Sequence, residues 1–388
     1  MKTFQNGTGI AASFLLLLVG LCCCSGSSVD SLYPACVTPD KTKIAIGHWG
    51  GRTLILDART GEVIKTAEAT EGEGENKHSG AVVCSADNEI VAVFPKKARW
   101  LTRDRETPRE GSTGKLLGMT ADDRLIGFSG GFYKDGDGDL SGRPLEIFLT
   151  GVGDRIKDNK PLEVKIGSFP GINSSSSYLI FPVRVLTDGN ILVATTKMPS
   201  YQYGNRIETK VGPAPWNFYG VDPETGEVKP HGEIKQNDVE INFVDPPVLS
   251  STPDGRLSAI GCHFEGVFVA VYDGDSGKEV FRRKVEGGEV YVRGMIFSDD
   301  GSRLAIMYLS YAAGSTDHKV KVFDAKTGQE LKTFSLGSST PYFAGFIGKG
   351  LIVKRTLKSD AGRDENVITN YDVETGEPIW ETKPSEIK

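Results

Sequence analysis

Apolar residues in this chain come in short runs, and none beyond the N-terminus holds a helical period for ten residues. Residues 248–282 show the pattern. Val248-Leu249-Ser250-Ser251, Leu257-Ser258-Ala259-Ile260-Gly261, Val267-Phe268-Val269-Ala270-Val271-Tyr272 and Lys278-Glu279-Val280-Phe281-Arg282 follow one another as β-type runs. Thr252-Pro253-Asp254-Gly255 and Asp273-Gly274-Asp275-Ser276-Gly277 separate them, turn formers in which Pro pre-sets φ and Gly is free to take φ > 0. The predicted unit is four short strands joined by tight turns in about 50 residues.

The unit repeats. Its second turn recurs as Asp57-Ala58-Arg59-Thr60-Gly61, Asp222-Pro223-Glu224-Thr225-Gly226, Asp273 to Gly277, Asp324-Ala325-Lys326-Thr327-Gly328 and Asp372-Val373-Glu374-Thr375-Gly376, the last four copies 51, 51 and 48 residues apart. Its first turn carries Asp40, Asp87, Asp122, Asp188, Asp254 and Asp300, with Gly348-Lys349-Gly350 in the last unit. Seventeen residues separate Asp40 from Asp57, and the same step from Asp87 reaches Asp104, where the Thr-Gly ending has become Arg-Glu-Thr-Pro. Leu149-Thr150-Gly151 marks the place in the third unit. Seven units then fill residues 31–383. Four-stranded modules at this period bury both faces by standing side by side, and closing them into a ring removes most exposed edges. The expectation is an all-β chain folded as a seven-bladed β-propeller of four-stranded antiparallel blades. A parallel β-helix would repeat every 20–30 residues or so.

The units resemble bacterial WD-repeat propellers in His78-Ser79-Gly80-Ala81-Val82, in the Pro-Asp-Gly turn and in the Val-Phe-Asp strand end. They also resemble pyrroloquinoline-quinone-type propeller repeats, most clearly from Tyr371 through Thr375-Gly376 to Trp380. No blade carries the Trp-Asp dipeptide, and one blade has the Trp with which quinone-type repeats lock their neighbours. The resemblance implies a fold, and a scaffold role like that of propeller lipoproteins in outer-membrane assembly.

Gly9 to Leu21 form an apolar segment behind Lys2, too short to span a bilayer and suited to a signal-peptide core. The expected organisation is a signal peptide over residues 1–24, a linker over 25–30 and one domain over 31–388. Leu21-Cys22-Cys23-Cys24 resembles a lipoprotein signal with Cys24 as the lipidated residue. A plain cleaved signal or a short N-terminal anchor fits the same residues. Cys36, Cys84 and Cys262 remain, an odd number in apolar strand positions, and are read as buried small hydrophobes. Cys36 and Cys84 fall in equivalent first strands, which leaves a bridge between them open. The net charge of −6 is spread along the chain without a basic stripe, which argues against a nucleic-acid partner.

Insertions carry the functional expectation. From first-turn Asp to second-turn Asp the chain runs 17 residues in units one and two and 19 in unit five, but 34 in unit four and 24 in unit six. All the growth lies between the second and third strands, on one rim of a propeller. Unit four supplies Tyr201, Tyr203, Arg206, Trp216 and Phe218, residue types that anchor a protein interface or stack on a sugar. Unit three supplies Asp135, Asp137 and Asp139 with Glu146 twelfth from Asp135, the outline of a calcium loop. Leu140 stands where that loop needs Gly, and a solvated acidic hairpin tip is the competing reading. Ala312 to His318 in unit six are expected to form a flexible tip. His48, His78, His263 and His318 fall near the same rim without metal-ligand spacing. No nucleophile elbow, His-Glu-x-x-His or phosphate loop is present. The expectation is an exported, envelope-attached, monomeric scaffold that binds a protein or a glycan, with no cofactor beyond a calcium ion. The alternative is a metal-assisted lyase or lactonase.

Overall fold

Each predicted turn that carries an aspartate, and that the structure describes, is built around it. The computed structural model describes residues 35–48, 52–67, 81–85, 87–93, 97–102, 105–108, 115–119, 124–129, 132–133, 145–151, 162–164, 169–170, 178–197, 216–234, 248–263, 267–286, 290–312, 315–358 and 364–383. In the second turn the Asp57 carboxylate accepts from the backbone amides of Arg59 and Thr60 and from the Thr60 hydroxyl. Asp273 and Asp324 accept likewise from the hydroxyl and amide three residues on. Gly61, Gly226, Gly277, Gly328 and Gly376 close these turns at φ of 65–78°. In the first turn the Ser298 hydroxyl donates to Asp300 at 2.6 Å, and Ser302 adds its amide and hydroxyl. The left-handed position there is Gly in blades 4 to 7, but Lys41 in blade 1 and Asn88 in blade 2, at φ of 61° and 69°.

Seven sheets result, each a meander of consecutive antiparallel strands. Blade 1 holds β1 (Ala35–Val37), β2 (Lys43–His48), β3 (Arg52–Asp57) and β4 (Val63–Ala67); blade 2 holds β5 (Ala81–Cys84), β6 (Ile90–Val93), β7 (Lys97–Trp100) and β8 (Arg105–Pro108). Blade 3 holds β9 (Lys115–Met119), β10 (Arg124–Ser129), β12 (Leu145–Gly151) and β13 (Leu162–Val164), and sends β11 (Phe132–Tyr133) to its neighbour. Blade 4 holds β14 (Tyr178–Val185), β15 (Ile191–Lys197), β16 (Trp216–Val221) and β17 (Val228–Ile234); blade 5 holds β18 (Val248–Ser251), β19 (Leu257–His263), β20 (Val267–Asp273) and β21 (Glu279–Glu286). Blade 6 holds β22 (Val290–Phe297), β23 (Arg303–Ala312), β24 (Ser315–Asp324) and β25 (Glu330–Gly337); blade 7 holds β26 (Thr340–Ile347), β27 (Gly350–Lys358), β28 (Asp364–Asp372) and β29 (Pro378–Thr382). First strands touch first strands in unbroken succession, β1 to β5, β9, β14, β18, β22, β26 and back to β1. The first strands therefore line the axis, the fourth strands form the outer edge, and the ring is closed.

The core lies between blades. Six apolar clusters among the described residues each straddle two neighbouring blades. On β23, Leu304, Ile306 and Tyr308 pack toward blade 5 while Ala305 and Met307 pack toward blade 7. A strand buried on both faces reads as a continuous apolar run, which is the pattern of the sequence.

A second contact fastens the four seams from blade 4 round to blade 1 from outside. The turn glycine of one blade sits on the fourth strand of the blade before it. A Cβ on Gly328 would stand 2.5 Å from the Phe281 ring, and one on Gly61 would stand 2.5 Å from the Trp380 ring. Gly376 rests in the same way on Lys332 and Phe334. The seam between blades 7 and 1 adds hydrogen bonds from Trp380 Nε1 to the Ala58 carbonyl at 3.2 Å and from the Thr382 hydroxyl to the Gly61 carbonyl at 2.6 Å. No strand is exchanged there, because blade 1 is wholly N-terminal and blade 7 wholly C-terminal. Lys354 is buried in this seam and donates to the Gly47 carbonyl at 3.0 Å. Burial pushes its amine down to about 8.

Three expectations change. Cys36 and Cys84 form a disulfide with their Cα atoms 5.8 Å apart, so the bridge that their equivalent first strands left open joins blades 1 and 2, and the two are not loose hydrophobes. In blade 2 the second turn has shrunk instead of decaying in place. Trp100 pairs with Arg105, whereas in blade 1 the pair Ile55 and Lys65 encloses the whole Asp-x-x-Thr-Gly turn. Thr102, facing Glu89 through its hydroxyl, takes the place of the turn aspartate, and Asp104 lies outside the described residues. In blade 6 the expected flexible tip is strand: β23 and β24 stay in register to Ala312 opposite Ser315.

Three outcomes follow from these contacts. Trp380→Ala lowers the unfolding free energy by about 2–4 kcal/mol, whereas Ile379→Ala, half exposed next to it, changes it by less than about 0.5 kcal/mol; urea titrations followed by circular dichroism read both. Replacing Cys36 and Cys84 together by Ala costs about 2–4 kcal/mol, seen as a fall in Tm that reductant reproduces in the parent protein and not in the variant. Folded Lys354 releases its proton near pH 8, while the unfolded chain does so near 10.5. The unfolded state holds more protons between those values, so stability rises with pH across that window. Lys354→Met removes the rise and stabilises the protein at pH 7 by roughly 1–3 kcal/mol.

Candidate functional site

In a meander whose first strand lines the axis, both tight turns of every blade emerge on one rim and the second-to-third-strand loops on the other. The tight-turn rim uses up its own chemistry. The Ser298 hydroxyl, followed by the Ser302 amide, holds the Asp300 carboxyl down at about 2. Asp57, Asp273, Asp324 and Asp372 are lowered by hydrogen bonds from their own turns, the Thr60 amide first at Asp57. Carboxylates so fixed are ionised and poor proton acceptors at neutral pH. Neighbouring turns are also tied to one another near the axis. The Asp40 amide donates to Asn88 Oδ1 at 2.8 Å, the Thr187 amide to the Pro253 carbonyl at 3.0 Å, and Lys41 pairs with Asp299. Arg184 on β14 reaches the Ser251 carbonyl at 2.6 Å, and burial lowers its basicity against the pull of Asp299 and Asp254.

The opposite rim is where the blades differ. From the blade 3 insertion, β11 crosses to pair antiparallel with the axial strand of blade 4, Phe132 opposite Leu179 and Tyr133 opposite Tyr178. Blade 4 thereby becomes a five-stranded sheet with its extra strand on the axis side. Blade 6 raises the rim with its ten-residue strands β23 and β24, and blade 7 with β27 and β28, paired out to Lys358 opposite Asp364. Near the base of the blade 6 hairpin, Ser335 donates to Asp317 at 2.6 Å. His318 beside it is buried, and its Nδ1 has no hydrogen-bond partner among the described residues. Burial lowers its pKa first and the Arg293 cation adds to that, so the ring is neutral at neutral pH.

Of the residues singled out from sequence, Tyr201, Tyr203, Arg206, Asp135, Asp137, Asp139, Cys24 and His78 lie outside the described residues. Glu146 is placed in β12, between Ser129 of β10 and Glu163 of β13. Trp216 and Phe218 do not belong to an exposed anchor set. Both lie on β16 at 0% and 5% exposure, packed with Leu192, Ile260 and Ala270 in the core between blades 4 and 5. Alternation explains the error, since β16 begins at Trp216 and its even positions face blade 5. His48 and His263 end the second strands of blades 1 and 5, two blades that are not neighbours. Among the described residues no three His, Cys, Asp or Glu side chains are grouped to hold a metal. Sequence reading missed β11 and the blade 6 hairpin. The signal for the hairpin was present in the strand formers Tyr308 to Tyr311 and Thr316 to Val322 on either side of Ala312-Ala313-Gly314.

No family model matches the chain, and neither does any curated protein. Solved structures do resemble it. KlHsv2 of Kluyveromyces lactis, with its loop 6CD replaced by a Gly-Ser linker, superposes with a TM-score of 0.51 at 14% identity over 90% of this chain and 96% of that one. The β-propeller domain of Cps50 (Swd1) from Myceliophteria thermophila gives 0.51 at 11% identity over 87% and 96%. KlAtg21, solved in complex with the coiled coil of AgAtg16, gives 0.51 at 11% identity over 90% and 98%. At such identities the likeness is one of fold, and the fold is that of a β-propeller.

Proposed function

We propose that this chain is a non-catalytic docking scaffold that binds a protein or glycan partner on its insertion rim. The observation that carries this reading is the lengthening of one rim, raised by β11 and by the blade 6 and blade 7 hairpins, while the other rim keeps short turns. Loops set on a rigid scaffold are a common location for binding residues. The other rim repeats one hydrogen-bonded turn and offers little that differs from blade to blade. A propeller of similar fold holds a protein partner in the KlAtg21 complex with a coiled coil. Export is part of the same proposal. The Cys36–Cys84 disulfide supports an oxidising compartment, in keeping with a signal peptide over residues 1–24 and an envelope attachment through Cys24.

Within this reading Tyr201, Tyr203 and Arg206 contact the partner, and Trp216 holds the blade beneath them. Replacing Tyr201, Tyr203 and Arg206 together by Ala abolishes capture of the partner from a native envelope extract and shifts Tm by less than about 2 °C. Trp216→Ala instead destabilises the fold by about 3–5 kcal/mol. A triple variant that still captures its partner removes the rim from the account.

A further inference from the structure

The ring closes at a seam that no strand crosses. Trp380 and Thr382 hold the blade 1 turn at its outer edge, and Lys354 holds the Gly47 carbonyl toward the insertion rim. Neither contact reaches the axial end of the seam on the tight-turn rim. Blade 7 is also at its shortest there. Its first turn spans two residues, with Ile347 pairing with Gly350. Six residues separate the paired Val37 and Ile44 in blade 1, and six separate Phe297 and Leu304 in blade 6. A Cβ on Gly348, in the short turn, would meet nothing within 4 Å.

Over this short turn the longer turns of blades 1 and 6 meet. The Lys41 ammonium of blade 1 pairs with the Asp299 carboxylate of blade 6, 258 residues away in sequence. These blades are not neighbours, because blade 7 stands between them. The charge of Asp299 is also felt by Arg184 of blade 4. Lys41 occupies an unusual backbone position, at φ of 61°. The corresponding residue is Gly189, Gly255, Gly301 or Gly348 in blades 4 to 7 and Asn88 in blade 2. Gly and Asn adopt the left-handed region readily, and Lys does not. A long side chain kept at such a position points to a contact that compensates for the backbone cost.

We propose that Lys41 and Asp299 form an ionic clasp that holds the ring shut. Blade 1 cannot part from blade 7 without also parting from blade 6, so the pair resists opening of a seam to which only one of its members belongs. It supplies at the axial, tight-turn end what Trp380 supplies at the outer edge. The difference lies in the chemistry. The two side chains are 34% and 53% exposed, so dissolved salt screens their attraction. The closing seam therefore loosens as ionic strength rises. The seam between blades 4 and 5, tied by the Thr187 amide to the Pro253 carbonyl, does not share that response. The clasp lies on the tight-turn rim and is independent of any partner on the insertion rim.

Hydrogen exchange of the oxidised full chain, followed by NMR, tests the clasp. The Trp380 indole N–H crosses the closing seam and is the probe; the Thr187 amide crosses the seam between blades 4 and 5 and is the control. Lys41→Asn removes the cation and gives the turn the residue type that blade 2 carries there. At about 0.01 M sodium chloride the indole proton of this variant exchanges roughly two- to fivefold faster than that of the parent, the range that an exposed ion pair covers. Its Thr187 amide keeps the parent's rate. At about 1 M salt, where charges are screened within some 3 Å, parent and variant exchange alike. Asp299→Asn accelerates the indole proton in the same way from the other partner. An indole rate that neither variant changes, a parent rate indifferent to salt, or an equal rise at Thr187 in Lys41→Asn overturns the proposal.

Discussion

Every sheet in this protein has two apolar faces and no layer of its own to cover either. That constraint governs the architecture. A lone blade would leave Leu304, Ile306 and Tyr308 wet on one face and Ala305, Met307 and Val320 wet on the other, and at roughly 25 cal/mol per Å² of apolar surface such exposure is ruinous for a unit of four short strands. Covering both faces of every blade demands that the first blade also meet the last. The chain reaches that closure without exchanging a strand, so the seam between blades 7 and 1 depends on side chains alone. Trp380 and Thr382 grip the Ala58 to Gly61 turn from outside, and Ile352 and Ile368 meet Ile44, Ile46 and Leu54 within. Closure there repeats the contact used between blades 5 and 6, where Phe281 stands under Gly328. The seam that joins the chain ends is one more copy of the ordinary seam, strengthened by two hydrogen bonds.

How far the sequence disclosed this can be judged from particular residues. The second turn was legible because its requirements are local: Asp57 must accept from the next amides, Thr60 must lend a hydroxyl, and Gly61 must take a positive φ under a neighbouring ring. The first turn was legible for the same reason, even where Lys41 and Asn88 take the left-handed position. What lay hidden depends on pairing across the fold. Cys36 and Cys84 are 48 residues apart in sequence, and whether equivalent strands bring their sulfurs together depends on the twist of adjacent blades. Trp216 and Phe218 read as interface aromatics until the register places both on the face that meets blade 5. In blade 2 the spacing misled, since the register brings Thr102, fifteen residues after Asp87, to the place that Asp57 takes seventeen residues after Asp40.

The two rims follow from the same economy. A tight turn that must cap its own strands and also rest on the blade before it has few free groups to give a ligand, and the lowered pKa of Asp300 shows how fully its carboxylate is engaged. The loops of the other rim carry no such repeated duty, and where the blade 3 insertion does fasten its neighbour it does so in its own way, through β11. They are free to lengthen, and blades 3, 4, 6 and 7 have used that freedom differently. Blade 3 lends a strand to the axial edge of blade 4, while blades 6 and 7 extend hairpins in register. Variation settles where the architecture does not forbid it.

Seam 1–2 shows what happens when the outer lock is withdrawn. Without an aromatic ring at position 65, this seam is held by the apolar cluster around Ile55, Ile90 and Leu101 and by hydrogen bonds from Lys65 to the Leu101 carbonyl and from the Asp40 amide to Asn88. The disulfide lies in this seam, close to the axis, where the first strands of blades 1 and 2 run side by side. A covalent bond at the inner end constrains the separation of the blades without filling the outer end, which no apolar repacking could do. The disulfide near the axis and the Lys65 contact to the Leu101 carbonyl farther out hold blades 1 and 2 at both ends of their seam, where blade 7 uses Trp380 against the Ala58 carbonyl.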